Sequence, residues 1–143
     1  MSMFIRKAEM NDAGPLCGLS GQLGYAVSEA QMSERLGNIL PDPEHAVFVM
    51  EVEDEIAGWV HVHGRFLLES APFAEIGGLV VSNRHRRQGI GEKLMRACET
   101  WAREQGFSAM RVRSGAQRKE AHAFYVGIGY ANVKAQQVFH LNL

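Results

Sequence analysis

The spacing of apolar positions changes several times along this chain, and the changes mark its elements. Met3 to Ala8 has the character of a short strand. Asn11 and Asp12 are suited to cap a helix whose apolar positions Leu16, Leu19 and Leu23 recur at helical spacing until Gly24. Ser28 with Gln31 three residues later fits a capping box; Met32, Leu36, Ile39 and Leu40 then stripe a second helix that Pro41 and Pro43 end. His45 to Val52 and Ile56 to His63 are rich in β-formers and flank the polar turn Glu53-Asp54-Glu55, which predicts a hairpin. On its second arm Trp59, His61 and His63 alternate with Val60 and Val62. The loop Gly64 to Pro72 contains Phe66, Leu67 and Leu68, and that apolar content predicts that it folds against something.

The stretch from Glu75 to Gln105 organises the rest. An apolar run, Glu75-Ile76-Gly77-Gly78-Leu79-Val80-Val81, predicts a buried strand, and the glycine pair inside it predicts a bulge or a close approach by another backbone. A basic turn, Ser82 to Gly91, opens a helix from Gly89 to Gln105 with Ile90, Leu94, Met95, Cys98, Trp101 and Ala102 on one stripe and Gly106 as its stop. Ala109 to Arg113 reads as a strand, Lys119 to Val126 as a short helix ended by Gly127 and Gly129, and Val133 to Leu141 as a final strand. This order predicts an α/β (α+β) domain with a mixed sheet, in which residues 75–113 form a right-handed parallel crossover. A ligand then belongs beyond the carboxyl end of the central strand, where Val81 meets the turn.

At 143 residues the length predicts a single domain over 1–143, large enough to bury about 70% of its unfolded surface in one core. A net charge of -1 gives no general reason for nucleic-acid or membrane binding, so any basic patch is local. The four residues Arg84 to Arg87 lack interleaved aromatics, which argues against a nucleic-acid contact. Cys17 and Cys98 lie far apart among apolar neighbours and read as buried thiols of a reducing cytosol. There is no signal-like apolar leader and no run near the roughly 20 apolar residues that span a bilayer, so the expected location is the cytoplasm.

The turn excludes two common phosphate sites. Gly89-Ile90-Gly91 would need glycine at 94 to make a dinucleotide fingerprint, and Leu94 stands there; the P-loop string is absent altogether. What remains is Arg86-x-x-Gly89-x-Gly91 at a helix start, with Arg84, Arg87 and Lys93 nearby. Unpaired amides at a helix N-terminus, glycines that allow close approach and flanking arginines suit an anion, and the preceding strand and bulge favour a pyrophosphate.

Together with Ala121-His122-Ala123-Phe124-Tyr125-Val126-Gly127-Ile128-Gly129-Tyr130, the stretch from Glu75 to Gly91 resembles the two motifs of the GNAT superfamily, the acetyl-coenzyme-A-dependent N-acetyltransferases. The element order is similar across nearly the whole chain. The resemblance implies a single-domain GNAT-like fold: a mixed central sheet of six to seven strands, about four flanking helices, and a bulged, splayed central strand. It implies that Arg86 and the amides of Arg87, Gln88, Gly89, Ile90, Gly91 and Glu92 hold the coenzyme's pyrophosphate. The strand end Leu79, Val80 and Val81 would pair with the pantetheine arm like an added strand, since a splayed strand has backbone groups to offer. Arg118 stands where the family often has asparagine, and could meet a phosphate or lie in solvent.

Acetyl transfer to an amine needs a neutral nucleophile, charge stabilisation on the thioester oxygen and a proton for the departing thiolate. By family position, Glu75 is the implied general base, the Val81 amide the oxyanion donor and Tyr125 the general acid. Against these stand a charged strand start facing solvent and a packed helix aromatic. His61 and His63 make a poor metal pair by ligand count and are alternative bases if they face the acceptor. Tyr25 and Glu69 are the polar side chains expected to grip the acceptor, within walls formed by residues 23–28, 66–73 and 132–137. No acyl-enzyme is expected, because both cysteines sit on apolar stripes. The expected co-substrate is acetyl-CoA with no metal, and the expected partner is an amine acceptor, small-molecule or peptide; a homodimer is left open. The alternatives are a protein N-terminal or lysine acetyltransferase and a non-catalytic acyl-CoA-binding or sensing domain.

Overall fold

The computed structural model describes every residue except Met1 and Tyr25, so the role expected of Tyr25 falls outside the described residues. Two compact units, Met1–Val112 and Arg113–Leu143, are each described by themselves.

The first unit is a five-stranded sheet in sequential order: β1 (Met3–Lys7), β2 (His45–Val52), β3 (Glu55–Arg65), β4 (Phe73–Val81) and β5 (Met110–Val112). The first four strands run antiparallel to their neighbours, and β5 joins β4 in parallel, which makes the sheet mixed. The β2/β3 hairpin closes through Glu53 and Asp54, both at positive φ (51° and 66°), the backbone a two-residue turn of matching twist requires.

Helices cover both faces. α1 (Ala13–Gln22) and α2 (Glu29–Ile39) place Ala13, Leu16 and Leu36 in one core with Val47 and Val49, with Met32, Ile39, Leu40 and Trp59 packed alongside. The capping box of α2 is formed as the sequence predicts: Gln31 N donates to Ser28 Oγ at 3.1 Å and Ser28 N to Gln31 Oε1 at 2.9 Å. α3 (Ile90–Glu104) covers the opposite face, and all six residues of its predicted stripe are buried. A Cβ on Gly58 would lie 3.2 Å from both Ile90 Cγ2 and Leu94 Cδ1, which shows how closely α3 rests on β3.

Asp12 does not cap α1 with its side chain. Its carboxylate accepts Arg6 Nη1 and Nη2 at 2.8 and 2.9 Å and the Glu9 amide at 2.7 Å, while Arg6 Nε donates to Glu51 across the β1/β2 ladder. The fork ties the chain entering α1 to the sheet edge.

The second unit contains α4 (Lys119–Gly127) and the chain to Leu143. The strand predicted over 133–141 is not formed, so the described residues show five strands rather than six or seven. A ladder needs a neighbouring strand, and α4 is the one helix or strand among the described residues of this unit. Loop 66–72 is also less folded than its composition predicts. The Phe66 ring lies 5.9 Å from that of Phe107 yet is 61% exposed, and Leu68 is fully exposed.

Arg6 holds the Asp12 carboxyl below its ordinary range, chiefly through their hydrogen bonds. That contribution is full above the unfolded carboxyl's ordinary pKa of about 4 and is lost as pH falls through the lower folded value. Asp12→Asn should therefore cost about 1–3 kcal/mol at pH 7, with a difference from wild type that shrinks below pH 4. Urea unfolding at both pH values measures it, and an equal difference at each would contradict the assignment.

Candidate active site

The site is built on β4. Opposite His61 and Val62 of β3 the register slips by one: His61 pairs with Gly78 and Val62 with Ile76, so Gly77 is the extra residue of a bulge. The glycine pair faces side chains of β3 rather than another backbone. A Cβ on Gly77 would come within 2.6 Å of His61 Nδ1, and one on Gly78 within 2.8 Å of Trp59 Cη2. Two rings from β3 thus lie against β4 where a larger residue would press on them.

On its other side β4 pairs with β5 only over Ala74–Ile76, opposite Met110–Val112, and then continues to Val81. Gly77 to Val81 therefore have no β5 partner, because β5 ends at Val112, and Leu79, Val80 and Val81 run along that side of β4 beyond the ladder. The chain then makes a short turn over Asn83–His85, with Ser82 N donating to Ala57 O at 2.8 Å, and enters α3. Arg87 (φ 64°) and Gly89 (φ 76°) are both left-handed. For arginine that backbone is uncommon, and next to the helical Ile90 it aims successive amides outward as an anion nest. Within α3 the Lys93 amide donates to Gly89 O at 3.0 Å, so the amides of Ile90, Gly91 and Glu92 stand at the open helix end. Arg86, Arg87 and Gln88 are exposed around it. Arg84 points instead to Glu55, at 3.3 Å.

Glu75 is 6% exposed, not a solvent-facing strand start. Arg65 Nη1 donates to its Oε1 at 2.8 Å, and His63, its register partner, brings Nε2 to 3.8 Å from the same oxygen. Next to them His45 stacks on both His61 and His63, which are tilted to one another, with ring centroids 5.1–5.4 Å apart, and His45 Nδ1 lies 2.9 Å from His61 Nε2. Among the described residues no group of three or more His, Cys, Asp or Glu is placed to hold a metal ion. Burial, then its two histidine neighbours, pushes the His61 pKa down to about 4; burial also lowers that of His63.

β4 remains a strand on both sides of the bulge at Gly77, so the Val81 amide lies six residues, at most about 20 Å, along it from Glu75. A base and an oxyanion donor acting on one tetrahedral centre cannot be so far apart, which removes Val81 as the donor for an amine activated at Glu75. Gly77 to Leu79 are within range.

In the second unit Tyr125 lies on α4 with its ring 5.1 Å from that of Phe124 and 6.3 Å from that of Tyr130. Arg118 is the residue before the helix, its amide bonded to Gly115 O at 3.0 Å, and His122 Nε2 lies 2.8 Å from the same carbonyl. Glu69 is exposed in the loop before β4. Cys98 is fully buried, which drives its thiol well above the ordinary pKa; Cys17 is half-buried with Sγ donating to Val27 O at 3.0 Å. Arg65 and His45 escaped the sequence reading. The period-two pattern on β3 contained the signal for Arg65, which falls two residues past His63 on the same face.

The first unit is thus a mixed α/β sheet whose bulged fourth strand outruns its parallel neighbour and feeds a left-handed basic turn at a helix start. The family model described as acetyltransferase (GNAT) family matches residues 18–130, and the chain belongs to that family. It is 28% identical over 144 aligned positions to an aminoglycoside N(6')-acetyltransferase type 1 of Stenotrophomonas maltophilia, covering 97% of this chain and 93% of that protein. Over 77 residues it is 35% identical to an aminoalkylphosphonate N-acetyltransferase of Salmonella typhimurium, covering 53% of this chain and 50% of that one. Its fold matches an aminoglycoside N-acetyltransferase, AAC(6')-Iy, solved in complex with CoA: TM-score 0.89 at 16% identity, over 99% of this chain and 96% of that one. The chain is thus an N-acetyltransferase with acetyl-CoA as co-substrate. No helix among the described residues is long and apolar enough to cross a membrane.

The neutral imidazoles predict a pH dependence. A folded-state pKa below the unfolded value of about 6.5 means that the unfolded chain binds more protons, so stability is full above that pH and declines as pH falls toward about 4. Urea midpoints across that window should fall for wild type and fall less for His61→Gln. Gly77→Ala should destabilise by about 1–3 kcal/mol by driving Cβ against the His61 ring, and an unchanged midpoint would show that the ring is not confined there.

Proposed function

We propose that the two units act as one acetyltransferase domain that moves acetyl from acetyl-CoA to a primary amine of a small molecule, by direct attack within a ternary complex. The observation that carries this reading is the overhang of β4: an edge of unpaired strand that starts beside a buried carboxylate and ends at an anion nest. An extended amide-bearing arm pairs with Leu79 to Val81, its pyrophosphate sits at the amides of Arg87 to Glu92 with Arg86 beside them, and its thioester reaches back toward the bulge. Arg118 is assigned to a coenzyme phosphate.

Glu75 is assigned to the deprotonation of the amine, as the carboxylate that draws the ammonium and orients its loss of a proton, directly or through one intervening group. Its closeness to Arg65 keeps the carboxylate oriented. The donor for the thioester oxygen comes from Gly77 to Leu79, within reach of an amine at Glu75. Tyr125 is assigned as the acid that protonates the departing thiolate, because a phenol, with an ordinary pKa of about 10, is of comparable basicity. Glu69 is assigned to the acceptor's second polar group. The buried Cys98 and the half-buried, hydrogen-bonded Cys17 offer no exposed thiolate, which favours direct transfer over an acyl-enzyme.

A small-molecule acceptor is favoured by relatives named for aminoglycosides and aminoalkylphosphonates. The test is a free-thiol release assay over aminoglycosides, aminoalkylphosphonates, polyamines, amino acids and peptides with a free N-terminus or lysine. Turnover is expected on one of the small amines; turnover on peptides alone would overturn that acceptor class. Glu75→Gln should lower kcat/KM by about 10²–10⁴ and Tyr125→Phe should lower kcat, with thermal stabilisation by acetyl-CoA retained in both. The Cys17→Ala/Cys98→Ala double variant, if folded, should keep turnover, and its loss would defeat direct transfer.

A further inference from the structure

His63 and Glu75 are direct partners across the β3/β4 ladder, so their side chains leave the same face of the sheet at the same level. His63 Nδ1 is 3.3 Å from Gly64 O. A carbonyl only accepts, so Nδ1 carries the ring proton and Nε2 presents a lone pair. That lone-pair nitrogen stands 3.8 Å from Glu75 Oε1, an atom already fixed by Arg65 at 2.8 Å. Two acceptors thus face one another, too far apart to share a proton. One nitrogen carrying two N–H groups would bridge them at about 2.8 Å from each.

We propose that His63 Nε2 and Glu75 Oε1 form the seat of the acceptor's ammonium, and that the His63 imidazole takes its proton. The inference deepens the acetyl-transfer reading above and rests on it. One N–H bond of the ammonium breaks and its electron pair stays on nitrogen, which becomes the nucleophile. The proton forms a new bond at Nε2. The imidazolium so made lies against the Glu75 carboxylate and keeps its Nδ1–H on Gly64 O. With 19% of its side chain accessible, it then returns the proton to solvent.

The groups facing His63 decide its resting state. His45 from β2 stacks at 5.3 Å, His61 from β3 lies at 5.4 Å, Arg65 follows on β3 and Glu75 stands on β4. Burial, His45 and Arg65 disfavour the charged ring, while Gly64 O and Glu75 favour it; the balance keeps it neutral and able to accept a proton below the pH of an ordinary histidine. Glu75 then holds the substrate cation before transfer and the imidazolium after it, so the ion pair is conserved through the step.

The test uses an amine that turns over in the acceptor assay. For wild type, kcat/KM against pH should show an acid limb below the ordinary histidine pKa. In His63→Gln, with acetyl-CoA thermal stabilisation unchanged, kcat/KM should fall at least 100-fold and that limb should disappear. In His63→Ala, added imidazole should restore turnover. Wild-type kcat/KM with an intact acid limb in His63→Gln overturns the proposal, as does a folded His63→Ala that loses activity without rescue. Should neither variant fold, ¹⁵N spectra of wild-type histidines decide: n-propylammonium should shift the His63 Nε2 resonance and n-propanol should not. Silence of that resonance overturns the ammonium seat. The spectrum is read without turnover, so it stands even if no amine in the panel is acetylated, an outcome that would instead defeat the transfer reading.

Discussion

The feature on which the site depends is the fit of two β3 rings against a strand that has no side chains to receive them. His61 lies over Gly77 and Trp59 over Gly78, and the register slips by one residue at that point. The slip re-aims everything after it on β4. Before the bulge, β4 is an ordinary inner strand with partners on both sides; after it, one side has no β5 partner. A strand with a free edge is usually a hazard, because it invites pairing with another chain. Here it leads into the basic turn at the start of α3, where Arg87 and Gly89 hold left-handed backbone.

The same bulge separates two chemistries. Upstream lies a part-buried cluster on the sheet face, where Arg65, Glu75 and three imidazoles crowd together and burial lowers the pKa of His61 and His63. Downstream lies an exposed, positively charged helix start, where Arg87 and Gly89 hold left-handed backbone and amides face outward. An acyl transferase needs both: a dry place to take a proton from an amine and a wet, cationic place to hold phosphates. One strand of nine residues links them. The cores lie on either side of the sheet, α1 and α2 against Val47 and Val49 and α3 against Gly58.

Much of this was legible in the sequence because its causes are local. Capping boxes, apolar periodicity and glycine stops depend on residues a few positions apart, so α2, the α3 stripe from Ile90 to Ala102 and the β2/β3 hairpin follow from the pattern alone. The basic glycine turn, the glycine pair and the late Phe124-Tyr125 motif together sufficed for the family, since their order and spacing are printed in the chain. The tertiary structure decided what depends on partners far apart in sequence. That the glycine pair faces His61 and Trp59, that Glu75 is buried with Arg65, and that His45 joins His61 and His63 all follow from strand register. Residues 133–141 carry side chains suited to a strand, but a strand also needs a neighbour to pair with. Register is fixed by the summed fit of a whole sheet, a quantity that no short window of sequence contains.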